Sequence, residues 1–238
     1  MSVVKKIISA PDLKGFTLAE VLITLAIIGV VAAMTIPTLV VNYQKKVTLT
    51  KLQKAFNTIS NAINLSSLEN GNPVTWDWEN PEDIIKEKIG KYIKASKYYG
   101  PDTTKTPLCP ESGNATYGEG YTYGWLDNTY ISSPFTTNNY SLITNDGVCI
   151  GTEKGWKRWN IFVDINSSIN GPNMAGKDLF FFYIDEKTGI LHAFGDELDD
   201  VQSPELMNAC NKDAKYGGQT CAAKIIRDGW RIAEDYPW

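Results

Sequence analysis

The longest pattern in the chain is an uninterrupted apolar run near its N-terminus. From Val21 to Val41 no side chain is ionisable, and apolar residues cover every face of a helix rather than one stripe. About 21 residues, at ~1.5 Å each, are enough to cross ~30 Å of hydrocarbon. The run therefore predicts a transmembrane helix, which Pro37 is expected to bend or loosen near Ala33.

After this run the pattern changes to one apolar stripe with a polar side. A helix that packs on one face repeats its apolar residues every three or four positions, which is the spacing of Leu49, Leu52, Phe56, Ile59 and Ile63. Gly71 after Asn70 is a typical helix end. The helix is therefore predicted to continue to Asn70, with its second half packed on the chain's own head.

The rest of the chain predicts one more helix and several short strands. Asn80 and Pro81 resemble a helix start, and an apolar face follows to about Ser96. Residues 100–139 are rich in Pro, Gly, Thr, Asn and Tyr and predict a long irregular stretch. Strands are predicted at 141–144, 148–152, 158–165, 179–184 and 190–194, with a final strand at 221–226. A long N-terminal helix on an antiparallel sheet is an α+β fold.

Composition and charge narrow the function classes. The 238 residues are 43% hydrophobic and 21% charged, which suits one sizeable globular domain plus an anchor. The formal charge of −4 argues against nucleic acid as a partner, because such binding depends on Lys and Arg. His192 is the only histidine and lies in an apolar strand pattern, so we expect no catalytic triad and no enzyme.

A specific motif spans the start of the apolar run. Residues 14–23 read Lys-Gly-Phe-Thr-Leu-Ala-Glu-Val-Leu-Ile. This string resembles the processing and assembly signal of type IV prepilins and type II secretion pseudopilins. The resemblance implies that prepilin peptidase cuts after Gly15 and methylates Phe16, that Glu20 takes part in filament assembly, and that Pro37 is the proline common in such helices.

The resemblance also implies an organisation and a location. The parts would be a leader (1–15), a transmembrane and assembly helix (16–41), its soluble continuation (42–71) and an exported head (72–238). The precursor would cross the inner membrane once with its N-terminus in the cytoplasm, and would then enter an extracellular or periplasmic filament. Expected partners are other pilin or pseudopilin subunits, prepilin peptidase, the inner-membrane assembly platform and the lipid bilayer.

The implied function is that of a structural subunit, a minor pilin or pseudopilin, of a type IV pilus or a type II secretion pseudopilus. The alternative is a membrane-tethered adhesin or carbohydrate-binding module displayed on a pilus, which would use exposed aromatic residues among the chain's 7 tryptophans.

Four cysteines follow the apolar run, all in the expected head. An even number in an oxidising compartment favours disulfides, with three possible pairings. We favour Cys210–Cys221, which closes a Gly-rich loop, and Cys109–Cys149. A zinc site is the alternative, but no Cys-x-x-Cys spacing occurs.

Oxygen-bearing side chains are dense in the stretch that joins the predicted strands 158–165 and 179–184. Asp164, Asn166, Asn173 and Asp178 supply hard oxygens of the kind that Ca²⁺ prefers. The stretch is not an EF-hand, because Ala175 stands at the twelfth position, where a bidentate Glu belongs. Some pseudopilins hold calcium in a loop of this general kind. The alternative is a loop held by Asx turns without metal.

Overall fold

The computed structural model describes residues 15–100, 109, 123–129, 131, 140–154, 159–167, 170–185, 187–196 and 209–238. Of the predictions made above, the leader residues 1–14, most of the irregular stretch 100–139 and the start of the strand at 158 lie outside these ranges.

Helix α1 (Leu18–Asn70) begins in the first of two compact units, which ends at Gln44. Among the described residues it is the one helix long and apolar enough to cross a membrane. The side chains of its apolar run are exposed: Leu18 is 78% and Met34 73% accessible. Because such exposure in water would be strongly unfavourable, this part of α1 needs lipid or other apolar surfaces around it. The helix is continuous through Pro37.

In the second unit, Lys45–Trp238, the same helix buries one stripe. Its buried apolar residues recur at helical spacing: Leu52, Ala55, Ile59, Ala62 and Ile63. The helix ends at Asn70, and Gly71 adopts a φ of +76°, the left-handed conformation that ends many helices. The predicted second half of the helix and its end are thus confirmed.

Among the described residues, six strands form one antiparallel sheet in which each strand pairs with its neighbour in sequence. They are β1 (Ala95–Tyr99), β2 (Tyr140–Thr144), β3 (Cys149–Lys154), β4 (Trp159–Asp164), β5 (Leu179–Ile184) and β6 (Leu191–Ala193). Together with α1 they confirm the predicted α+β class. The fold is pilin-like: a long N-terminal helix and a small antiparallel sheet.

Strand β5 shows why the sheet is stable. All of its residues are buried, because both faces of the sheet are covered. Phe180 and Phe182 belong to the core that includes the α1 stripe, whereas Leu179 and Phe181 belong to a second cluster on the opposite face with Trp125. The alternation of side chains along a strand thus divides one apolar run between two cores.

The helix predicted from Asn80 is shorter than expected. Asn80 caps Pro81–Asp83, and the chain continues through a π-helical turn (Ile84–Ile89) and a 3₁₀ turn (Gly90–Tyr92). The predicted helix to Ser96 was wrong at its end, because Ala95–Tyr99 pairs with β2 as an edge strand. Pairing across the sheet overrides local helix propensity there.

The final strand predicted at 221–226 was also wrong. Cys221–Arg227 is a helix, α3, where α2 denotes the Pro81–Asp83 turn. Its end is a Schellman motif: Gly229 has a φ of +76°, its N–H donates to Ile226 O, and the Trp230 N–H donates to Ile225 O. The Asp228-Gly229 pair, which follows the predicted strand, is therefore a helix cap.

Candidate functional sites

The predicted cleavage junction precedes the first helical turn. Gly15 and Phe16 are exposed and lie outside α1, and the Phe16 side chain is 88% accessible. A junction outside regular structure suits a peptidase, because a protease has to bind an extended, accessible stretch. Cleavage after Gly15 and methylation of Phe16 stay predictions.

Glu20 is held by Thr17. The Thr17 N–H and hydroxyl both donate to Glu20 Oε2 at 2.8 Å, and the Glu20 N–H donates to Thr17 Oγ1 at 3.2 Å. This reciprocal arrangement is a capping box, which satisfies backbone donors that the first helical turn leaves free. Our sequence interpretation missed it, although Thr-x-x-Glu before an apolar run is its signature.

The two disulfides use all four cysteines. The structure joins Cys109 to Cys149 with a Cα–Cα distance of 6.0 Å, and Cys210 to Cys221 with a Cα–Cα distance of 4.6 Å. These are the pairings that the sequence favoured. With every thiol in a disulfide, no cysteine is available to ligate zinc.

The 164–178 loop brings the four predicted oxygen donors together. The carboxylate of Asp178 accepts the N–H of Asn173 at 2.7 Å and the N–H of Met174 at 2.6 Å. Asp164 accepts the N–H of Asn166 at 3.0 Å and the Tyr123 hydroxyl at 2.5 Å. The tyrosine had no sequence signal, because it comes from a segment about forty residues away.

Two carboxyl groups are buried in this loop. Asp164 is 0% and Asp178 2% accessible. Burial is the main reason that the pKa of Asp164 rises to about 7; the nearby charge of Asp178 adds to it and the Tyr123 hydroxyl opposes it. Burial also raises the pKa of Asp178, against the two backbone N–H donors. Two buried acids side by side favour either a bound proton or a cation between them.

The loop suits calcium in chemistry. Its donors are hard oxygens, and Asn166 Oδ1 is buried with no hydrogen-bond partner among the described residues. The described residues contain no group of three or more Asp, Glu, His or Cys that could hold a metal, so calcium would need neutral oxygens and water as well. The hydrogen bonds from the backbone N–H groups of Asn173 and Met174 to Asp178 fit the Asx-turn alternative equally well. Calcium at this loop stays a prediction.

The 164–178 loop contacts several other elements of the head. Its Gly176 accepts a hydrogen bond from the buried Tyr236 hydroxyl, and a Cβ added to Gly176 would lie 2.8 Å from Cys221 Sγ. Its Lys177 O accepts from the Thr48 hydroxyl of α1 at 3.4 Å. The loop therefore ties α1, the Cys210–Cys221 disulfide and the C-terminal segment to the sheet.

The comparisons with known proteins agree with the N-terminal geometry. Residues 13–36 match the prokaryotic N-terminal methylation motif, the prepilin-type signal of type IV pilins and pseudopilins. Residues 38–101 match a family of unknown function, DUF6613. Neither the search of curated proteins nor that of solved structures gave a match.

The resemblance to a prepilin signal is thereby confirmed. Signal and fold together support a type IV pilin-like or pseudopilin-like precursor with an apolar N-terminal helix suited to a membrane anchor. Proteins with this signal are structural subunits rather than enzymes.

Proposed function

We propose that the chain is a structural subunit, a minor pilin or pseudopilin, of a type IV pilus or a type II secretion pseudopilus. The observation that carries the proposal is the methylation motif at 13–36, which coincides with the exposed junction and the exposed apolar start of α1. An apolar helix whose side chains are exposed among the described residues is the element that a filament core requires.

The proposed route begins at the inner membrane. The precursor crosses it once with its N-terminus in the cytoplasm, prepilin peptidase cuts after Gly15, and Phe16 becomes the methylated N-terminus. The assembly platform then transfers the subunit from lipid to sister subunits. Glu20 contributes a carboxylate to the apolar core, where it pairs with the amine of Phe16, because an unpaired charge there is strongly unfavourable.

Mass spectrometry of the membrane-extracted protein tests processing. We expect an N-terminus at N-methylated Phe16, and Gly15→Leu should abolish cleavage because it places a bulky side chain at the cut. Gly29→Leu is the matched control, since a Cβ at Gly29 meets no atom within 4 Å and lies away from the junction. Residues 1–15 still attached to wild-type protein in filaments would overturn the proposal.

A further inference from the structure

A wide cleft in the described part of the head lies beside the Cys210–Cys221 disulfide. It has a volume of about 1020 Å³. Its walls come from α3, from the turn that holds Lys177 and from the C-terminal residues 235–238. A cleft of this size accommodates a ligand of several hundred daltons, such as an oligosaccharide.

The charges around the cleft are unbalanced. Lys177, Lys212 and Arg227 line it, and none of them forms an ion pair within the part of the chain that the structure describes. The two carboxylates in the lining, Asp235 and Asp228, both pair with Lys224, at 2.7 Å and 3.2 Å. The ionisable side chains of the lining are thus four cations and two acids, a net charge of +2. An excess of two positive charges at one concave site, in a chain with a net charge of −4, attracts an anion.

The lining also offers apolar surface. Trp238 and Pro237 stand on the wall, and Met174 and Leu126 add aliphatic contacts. Lys45 places its ammonium 5.9 Å from the Trp238 ring centroid, which brings a further cation close to this wall. Aromatic and proline rings pack against the C–H faces of sugars, while Arg and Lys bind carboxylates and sulfates.

We propose that this cleft binds an acidic carbohydrate, a sugar chain that carries carboxylate or sulfate groups. The cations lie in one cleft rather than along a stripe, and the chain as a whole is acidic, which favours a short anionic ligand over a nucleic-acid duplex. The inference goes beyond assembly and does not depend on it. A subunit that failed to enter filaments would still bind the sugar.

Titration calorimetry on the full chain in detergent tests the site. The probes are a hexamer of galacturonic acid, a sulfated heparin hexasaccharide, neutral maltohexaose and a short DNA duplex. We expect binding of one or both acidic sugars, no binding of maltohexaose, and weaker binding at higher salt. The two acidic probes distinguish carboxylate from sulfate as the anion that the cleft prefers.

Charge reversal locates the binding. Lys212→Glu and Arg227→Glu are exposed substitutions and should each weaken binding about tenfold or more, as expected for the loss of a charged hydrogen bond. Lys187→Glu, on the exposed turn between β5 and β6, changes the net charge equally and should leave affinity within about twofold of wild type. Unchanged melting temperatures would show that the variants fold.

Three outcomes would overturn the proposal: no binding of either acidic sugar, tighter binding of DNA than of both sugars, or equal loss of affinity in Lys187→Glu and Arg227→Glu. The last would mean that binding follows overall charge and not the cleft.

Discussion

Thr17 and Glu20 hold each other at the start of α1: the glutamate carboxylate accepts two hydrogen bonds from Thr17, and Thr17 Oγ1 accepts one from the Glu20 N–H. Glu20 therefore has a local structural role before it meets any other subunit. A loss of assembly in Glu20→Ala would report on the helix cap as well as on the charge.

Glu20→Gln separates the two roles. Glutamine can still accept the Thr17 hydrogen bonds in a capping box, but it has no charge to pair with the Phe16 amine. If charge pairing drives assembly, Gln and Ala should both fail to enter filaments when wild-type subunits compete. Quantitative mass spectrometry of purified filaments gives the ratio of variant to wild-type subunits.

Thr17→Ala is the complementary variant, because it removes the hydroxyl of the cap and keeps the carboxylate. We expect it to be incorporated near the wild-type ratio, with a helix start weakened by about 1 kcal/mol. Normal incorporation of Glu20→Gln combined with failure of Thr17→Ala would assign the role of Glu20 to capping and contradict charge pairing.

The disulfides should stabilise different parts of the head. In the chain-entropy model a bridge across 11 residues contributes roughly 3 kcal/mol and one across 40 residues roughly 4 kcal/mol. Cys210→Ser/Cys221→Ser should lose amide protection in α3, and Cys109→Ser/Cys149→Ser in β3, by hydrogen exchange. Alkylation of the wild-type protein without reduction should label no cysteine; four labelled cysteines would contradict both pairings.

The buried carboxyl of Asp164 predicts an unusual pH dependence. Its pKa is about 7 in the folded chain against 3.8 as the ordinary value, so the folded state favours the protonated form. The resulting stabilisation is complete below about pH 4, declines as the pH rises towards 7 and is absent above that. The difference between these two pKa values corresponds to a change of about 4 kcal/mol in the free energy of unfolding. Melts between pH 4 and 8 in chelator measure it.

Asp164→Asn is the control for this pH profile. The amide cannot ionise, so the decline between pH 4 and 7 should become much shallower. Tyr123→Phe removes the hydroxyl that donates to the carboxylate and should shift the decline to higher pH, because that hydrogen bond stabilises the charged form. The same slope in wild type and Asp164→Asn would show that other groups cause the pH dependence.

If the predicted site exists, calcium should offset the loss of stability that accompanies ionisation of Asp164. A cation between Asp164 and Asp178 would keep both carboxylates charged and would stabilise the head by about 2.7 kcal/mol at a hundredfold excess over the dissociation constant. We expect a higher melting temperature in calcium than in chelator at pH 7.5, and no difference in Asp178→Asn. Equal melts of the wild-type chain would assign the loop to Asx turns alone.

Sequence periodicity predicted the regular elements best where a side-chain pattern is unambiguous. The α1 stripe has a period that only a helix fits, and the turn residues Asn145-Asp146-Gly147 mark the hairpin of β2 and β3. Cys221–Arg227 is short and apolar on most positions, so its period fits a strand as well as a helix, and the position of Gly229 after the helix decides. The helix that starts at Asn80 ends early because Ala95–Tyr99 pairs with β2, and this long-range pairing cannot be predicted from the local sequence.

The candidate sites divide in the same way. Glu20 and Gly15 were predicted because they belong to a linear motif. The capping partner Thr17 could have been predicted from the same motif. Tyr123, by contrast, reaches Asp164 only through the folded chain. The cleft residues Lys177 and Arg227 lie fifty positions apart in sequence, and only the folded chain brings them to the same cleft.

The crowding at Gly176 limits how this head can change in evolution. The space beside its Cα is occupied by Cys221, and its carbonyl accepts the Tyr236 hydroxyl. A β-carbon at 176 would have to displace Cys221 and the backbone at Gly218, whereas the exposed residues 211–213 of the bridged loop are free to vary. Related heads should therefore differ in the length and charge of that loop, at the rim of the cleft, while the glycine and the cysteine beneath it are inherited as a pair.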